Sequence, residues 1–172
     1  MTSGQATYEI SKLNSVHSKG NFSSGSIPLD NYLKTQASQD IKKNVSVTYV
    51  LTSINSTEVI GYYTLSSISI DASELSDEYM KKLPKYPMLP AILLGRLAVD
   101  SNHKGRKIGA YLLIDALKRS LLISEQVGIN AVIVDAKDDN AANFYRHFGF
   151  IEFPSIKLKL FLPINTIKTL SL

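Results

Sequence analysis

The stretch AILLGRLAVDSNHKGRKIGA, Ala91–Ala110, decides the fold. Its opening, Ala91–Val99, is nearly all apolar apart from Arg96. A short run of that kind reads as a central strand buried on both faces. His103–Ala110 (HKGRKIGA) follows as a basic, glycine-bearing turn, after which Leu113, Ala116, Leu117, Ser120 and Leu121 fall on one face of a helix. Gly128 is placed to close that helix in the left-handed conformation. Ala131–Ala136 is a second buried strand, Asn140–Phe148 a helix ended by Gly149, and Ile156–Leu162 the last strand. A strand, turn, helix and strand in this order predict a parallel pair joined by a right-handed crossover.

Working back from that stretch, Pro84, Pro87 and Pro90 predict an irregular connection that borders a site, because each removes a backbone donor and disfavours helix before it. Ala72–Lys82 reads as a short helix. Val59–Ile70 and the segment around Val47 form an antiparallel hairpin about the Asn55-Ser56 turn. In its first strand Val45, Val47, Tyr49 and Leu51 alternate with Ser46, Thr48 and Val50, which predicts the mostly polar set outward. A helix starting near Pro28 lines up Leu29, Leu33, Ala37 and Ile41, and Tyr8–Leu13 is a first strand before a Ser- and Gly-rich loop, Asn14–Ser26. The class is α/β, a mixed sheet flanked by helices in a single domain over 1–172.

Composition narrows the chemistry. With 172 residues, 44% hydrophobic and 20% charged, the chain is long enough for one sizeable core. Cysteine is absent, which excludes disulfides, a cysteine nucleophile and Cys-ligated zinc, and no metal site is expected. A reducing cytoplasm is the expected location. The opening MTSGQATYEI has no apolar leader region, and no apolar stretch approaches membrane-spanning length, so no membrane partner is expected. The formal charge of +4 permits a polyanionic partner without requiring one.

Two segments carry candidate chemistry. Where a strand end turns into a helix start, unpaired N–H groups and the helix dipole favour a phosphate. Gly105 and Gly109 let the chain turn tightly there, and Lys104, Arg106 and Lys107 add full charges; taken alone, the same loop also fits a solvated basic turn. The second segment is DAKDDNAANFYRHFGF, Asp135–Phe150, in which Ala141, Phe144 and Phe148 are expected to pack inward. Tyr145 is then either one more packed aromatic or a general acid. A phenol of pKa about 10 stays protonated at neutral pH and donates to a thiolate whose acid has a pKa of about 8.5 at modest cost. Asp135, Asp138 and Asp139 sit where capping is the expected task, and His103 and His147 read as surface residues before they read as bases.

In this order and separation the two segments resemble the GCN5-related N-acetyltransferase (GNAT) superfamily. The family's pyrophosphate loop, Gln/Arg-x-x-Gly-x-Gly/Ala, falls on Lys104, Gly105, Arg106, Lys107, Ile108 and Gly109, with Lys107 in place of a glycine. Its second pattern falls on Asp138, Ala141, Tyr145, Gly149 and Phe150, with Asp138 in place of an asparagine. The resemblance implies acetyl-CoA as co-substrate. Backbone groups of Leu97, Ala98 and Val99 would hold the pantetheine arm, residues Lys104 through Ala110 the pyrophosphate, and Asp138, Ala141 and Phe144 would complete the cofactor site. Tyr145 would be the acid. Lys107, given ordinary backbone angles, would supply a phosphate contact.

FSSGSIPLDNYLKTQASQD, GYYTLS, LGRLAVD, VDAKDDNAANFYRHFGF and LFLPINTI further resemble the acetyltransferase toxins of type II toxin–antitoxin pairs. That resemblance implies acetylation of the α-amino group of aminoacyl-tRNA, arrest of translation, a ribbon-helix-helix antitoxin and a homodimer. Lys81, Lys82, Lys85 and Arg96, with the basic turn, would contact tRNA phosphates. Transfer to a small amine or a protein amine, or a degenerate acetyl-CoA-binding module, remain as alternatives.

Overall fold

The computed structural model describes residues 7–172; the first six residues of the MTSGQATYEI opening lie outside the described residues. Its strands are β1 Tyr8–Lys12, β2 Val47–Ser53, β3 Gly61–Asp71, β4 Met88–Val99, β5 Ala131–Asp135, β6 Ile151–Glu152 and β7 Lys159–Pro163. They form one sheet in the order β1-β2-β3-β4-β5-β7-β6. The sheet is mixed: β4 and β5 are parallel, in register from Ala91 opposite Ala131 to Leu94 opposite Val134, whereas β1–β2, β2–β3, β5–β7 and β6–β7 are antiparallel. The helices are α1 Ile27–Asn31, α2 Ala37–Lys42, α3 Asp77–Met80, α4 Ile108–Ser124, α5 Asp139–His147 and α6 Ile164–Thr169. Contacts divide the chain into two compact units, one running to Ser66 and including Arg96–Ala116, the other made of Ser67–Gly95 and Leu117–Leu172.

In the first unit a core of Leu13, Phe22, Tyr32, Leu33, Ala37, Val50, Val59, Tyr62 and Ala98 packs the helical segment onto the sheet. Between α1 and α2 the helix widens into a π turn, Tyr32–Gln36, in which Ala37 N–H reaches the Tyr32 carbonyl. The expectation that the polar set of β2 faces outward fails because the strand is covered on both faces, with Leu51 as buried as Val50. Ser46, Thr48, Val50 and Thr52 are buried, and Val45 is 62% exposed. Val50 stands opposite Tyr62 and Thr48 opposite Thr64 on one face, while on the other Tyr49 stacks on the buried Tyr63, ring centroids 5.2 Å apart. Both residue sets of β2 hold apolar members, so period two located the strand without showing that both of its faces are covered.

The second unit has its own core of Ile70, Ala72, Leu75, Leu89, Ala91, Ala131, Ile133, Phe153 and Phe161. Tyr79 fixes α3 to it, its ring 5.1 Å from that of Phe161 and its hydroxyl donating to Asn130 Oδ1 at 3.2 Å. Several boundaries differ from the sequence expectations. Ala72–Lys82 is not one helix but a 3₁₀ turn, Ala72–Glu74, followed by α3. Pro90 belongs to β4, where its carbonyl accepts from Asn130 N–H. Gly128 is not left-handed: α4 ends at Ser124, whose Oγ donates to the Leu121 carbonyl, so the glycine lies beyond the cap. The last strand starts at Lys159 rather than Ile156 and runs into α6, which the sequence reading did not anticipate. Among the described residues no helix is long and apolar enough to cross a membrane.

Candidate active site

In the first unit the corner after β4 is built around Asp100. Its backbone N–H donates to the Ile60 carbonyl at 2.7 Å, and its buried carboxylate accepts from Asn102 N–H at 2.9 Å and Ser23 N–H at 3.0 Å. Burial alone would raise this carboxyl, but the two backbone donors and the His103 ring hold it below its ordinary value. The chain then makes a 3₁₀ turn, Ser101–His103, and passes two left-handed residues, Gly105 at φ +82° and Lys107 at φ +60°. Tyr111 N–H donates to the Lys107 carbonyl at 3.1 Å, closing the first turn of α4.

Ile108, Gly109 and Ala110 therefore form the first turn of α4 and not the end of a loop. Their N–H groups have no helical carbonyl one turn behind them, and the positive end of the helix dipole lies there. Arg106 and Lys107 are exposed beside it. Lys104 is also exposed, but its ammonium donates to the Ser24 carbonyl at 2.7 Å. The condition of ordinary backbone angles at Lys107 fails: it holds the glycine position of the motif in the glycine conformation, at a cost of about 1–2 kcal/mol for a residue with a Cβ. Leu97 and Val99 are half-buried and Ala98 buried. A Cβ on Gly61 would stand 3.2 Å from the Ala98 carbonyl oxygen and 2.9 Å from Leu112 Cδ1, so β3 passes this corner without strain only as glycine.

Arg96, expected to contact substrate, has its guanidinium 3.5 Å from the centroid of the Tyr32 ring. The Tyr32 hydroxyl donates to Asp40 Oδ2 at 2.7 Å, and Gln36 Nε2 donates to the other oxygen at 2.9 Å. A cation is thus held on an aromatic face that the π turn aims and Asp40 fixes.

In the second unit Asp138 caps α5. Its Oδ1 accepts from Ala141 N–H at 2.8 Å, the capping task expected of the aspartates here. The inward face of α5 is rotated from the expected one: Ala142 and Tyr145 are buried, and Ala141, Phe144 and Phe148 only half-buried. Gly149 at φ +96° ends the helix. Gly149 N–H donates to the Arg146 carbonyl and Phe150 N–H to the Tyr145 carbonyl, the paired bonds that fold a chain back over its last turn. Phe150 is thereby brought against Tyr145, ring centroids 5.4 Å apart, with Phe144 at 5.3 Å on the other contact. The Tyr145 hydroxyl makes no hydrogen bond to any described residue, and burial pushes the phenol well above its ordinary pKa. It remains fully protonated at neutral pH.

Lys81, Lys82 and Lys85 are exposed. Lys85 lines a cavity of ≈ 430 Å³ with Met80, Leu83, Tyr86, Pro87 and Leu89, so the proline segment does border a recess. Among the described residues no group of three His, Cys, Asp or Glu is arranged to hold a metal ion. The sequence reading missed Asp100, Ser23, Ser24 and Gly61. The aspartate closing LGRLAVD, the serine–glycine run FSSGS and the glycine opening GYYTLS were the signals that anything was built there.

An acetyltransferase (GNAT) domain model matches residues 46–152. A Sinorhizobium fredii protein named "Probable toxin TacT" is 32% identical over 161 residues, covering 90% of this chain and 89% of its own length. A Mycobacterium tuberculosis protein named "tRNA-acetylating toxin" is 34% identical over 149 residues, 87% of each chain. Among solved structures, AtaT complexed with acetyl-methionyl-tRNAfMet superposes with a TM-score of 0.87 at 29% identity, covering 94% of this chain and 97% of the other. With its mixed sheet, glycine-cornered basic turn at the start of α4 and tyrosine on α5, the chain belongs to the GNAT acetyltransferase family, in the group that holds the toxins of toxin–antitoxin pairs.

Proposed function

We propose that this acetyltransferase is the toxin of a toxin–antitoxin pair and moves an acetyl group from acetyl-CoA to the α-amino group of aminoacyl-tRNA, which stops translation. The observation that carries the chemistry is Tyr145: a protonated hydroxyl with no partner among the described residues, on a buried ring fixed between Phe144 and Phe150. The substrate is supported by the relative named as a tRNA-acetylating toxin and by AtaT in its complex with acetyl-methionyl-tRNAfMet.

The residues fit the donor. The N–H groups of Ile108, Gly109 and Ala110 and the charges of Arg106 and Lys107 suit the pyrophosphate, since a helix start with unpaired donors and free cations is an anion site. Leu97, Ala98 and Val99 would bond the pantetheine arm, and Asp138, Ala141 and Phe144 are the α5 residues that the resemblance assigns to the cofactor. In the transfer the amine nitrogen bonds to the thioester carbonyl carbon and the carbon–sulfur bond breaks. Tyr145 gives its proton to the departing sulfur, and the new amide loses one to solvent. At ordinary values that donation is uphill by roughly 2 kcal/mol, and desolvation that weakens the phenol as an acid also makes the thiolate a stronger base.

An α-amino group of pKa about 7.7 is neutral in roughly one molecule in six at pH 7, a lysine in about one in a few thousand. An α-amine acceptor therefore needs no strong base, which suits a chain in which Asp138 is a helix cap and Asp100 is bonded to backbone. Lys81, Lys82 and Lys85 would add phosphate contacts and make acceptor binding salt-dependent. A ribbon-helix-helix antitoxin and a homodimer are the partners that follow; a tyrosine-to-phenylalanine mutant of the AtaT toxin has been solved bound to the C-terminus of the antitoxin AtaR and to acetyl-CoA.

Tyr145→Phe tests the mechanism. It keeps the ring and removes the proton donor, so acetyl-CoA should bind as before by calorimetry while turnover falls about 10²- to 10⁴-fold. Expression of the parent should arrest bacterial growth and that of the variant should not. Full turnover in the variant would remove Tyr145 as the acid.

A further inference from the structure

We propose that Lys104, at the first position of the pyrophosphate motif, is a positioning residue that fastens the segment Phe22–Asp30 to the basic turn and does not bind the cofactor's phosphates. Its Nζ donates to the Ser24 carbonyl at 2.7 Å across eighty residues of sequence. Two further bonds join the same pieces: Ser23 N–H to Asp100 Oδ2 at 3.0 Å and Ser101 N–H to the Ser23 carbonyl at 2.8 Å. From the other side Asp30 Oδ1 accepts from Ser24 N–H at 2.9 Å and Ser24 Oγ at 2.6 Å. The backbone donors and acceptors of Ser23 and Ser24 are thus all engaged, and Lys104 supplies the partner for the last of them.

Gly25 shows that the ammonium is seated there. The chain turns over it at φ +91°, and a Cβ on Gly25 would stand 3.7 Å from Lys104 Nζ. Phe22, 1% exposed, anchors the segment at one end, and the Tyr62 hydroxyl, donating to the Leu29 carbonyl at 2.7 Å, holds the other. Arg106 and Lys107, by contrast, are exposed and make no ion pair or hydrogen bond through their side chains within the described residues. Those two cations are the ones free for a phosphate. The fastened segment leads directly into α1 and the π turn that aims Tyr32 beneath Arg96, so Lys104 acts on that platform through the backbone.

This inference rests on the turn being the cofactor's phosphate site, and the experiment separates the two. Lys104→Met, Lys104→Arg and Arg106→Ala are compared for coenzyme A affinity across salt, for amide exchange at Ser23–Gly25 and for the acceptor's KM and kcat at saturating acetyl-CoA. Lys104→Met should leave coenzyme A affinity within about twofold with an unchanged salt dependence. It should speed exchange at Ser23–Gly25 by about tenfold or more and lower kcat/KM for the acceptor, and Lys104→Arg should restore both. Arg106→Ala should weaken coenzyme A about five- to thirtyfold and leave exchange alone. If Lys104→Met weakens coenzyme A as Arg106→Ala does, with a shallower salt dependence and unchanged exchange, Lys104 is a phosphate ligand and the proposal fails. If Arg106→Ala has no effect on coenzyme A, the phosphate-site reading fails, and the fastening stands on the exchange and kinetic results of Lys104→Met.

Discussion

Replacing Lys107 by glycine separates two effects that the parent residue combines. At φ +60° a side chain with a Cβ costs about 1–2 kcal/mol relative to glycine. Glycine returns about 0.4–1 kcal/mol of that through the greater freedom of the unfolded chain. The Lys107 side chain is exposed and makes no bond, so no packing is lost. Lys107→Gly should therefore stabilise the fold by about 0–1.5 kcal/mol, or raise Tm by at most about 6 °C for a chain of this length. Lys107→Ala keeps the left-handed cost and should melt near the parent. Both variants lose the charge, which as a contact to phosphate is worth about 1–2 kcal/mol, so coenzyme A should bind each about five- to thirtyfold more weakly. Thermal unfolding by circular dichroism reads the first effect and titration calorimetry the second. Lys107→Gly melting below Lys107→Ala would refute the backbone account; Lys107→Gly binding coenzyme A more tightly than the parent would refute the charge contribution and favour closer backbone approach.

Two other substitutions test the corner. Gly61→Ala places a Cβ 2.9 Å from Leu112 Cδ1 and 3.2 Å from the Ala98 carbonyl; the leucine tip can rotate but the backbone cannot, and a loss of about 1–3 kcal/mol is expected in urea unfolding. Asp100 has a folded pKa below its ordinary 3.8, so its stabilisation is complete above that value and is lost as pH falls through the folded one. Asp100→Asn should be less stable than the parent at pH 7, with the gap shrinking as pH falls below 3.8; a gap independent of pH would show that the carboxylate's charge contributes nothing.

The sheet was legible because its decisive strands are either unbroken apolar runs, as in Ala131–Asp135, or plain alternation, as in β2. What alternation cannot supply is whether one face or both will be covered, and in β2, with Val50 in one set and Leu51 in the other, both are. The motif glycines divided similarly. Gly149 ends α5 as its place in the HFGF sequence predicts, but Gly128 does not end α4, which stops at Ser124, whose Oγ bonds the Leu121 carbonyl. The candidate site was legible as residue types at fixed spacing, Tyr145 above all. The bonds that set its geometry join residues nearly eighty apart, such as Asp100 with Ser23 and Lys104 with Ser24, and no local pattern reports them.

The central claim is the acceptor, and incubating the purified protein with labelled acetyl-CoA and matched pools of charged and uncharged tRNA tests it most directly. Label should enter only the charged pool, and should leave it, with the amino acid, when the aminoacyl ester is hydrolysed at mild alkaline pH. Label on small amines or proteins with charged tRNA untouched, or label retained on the tRNA after that hydrolysis, would contradict acetyl transfer to the α-amino group of aminoacyl-tRNA.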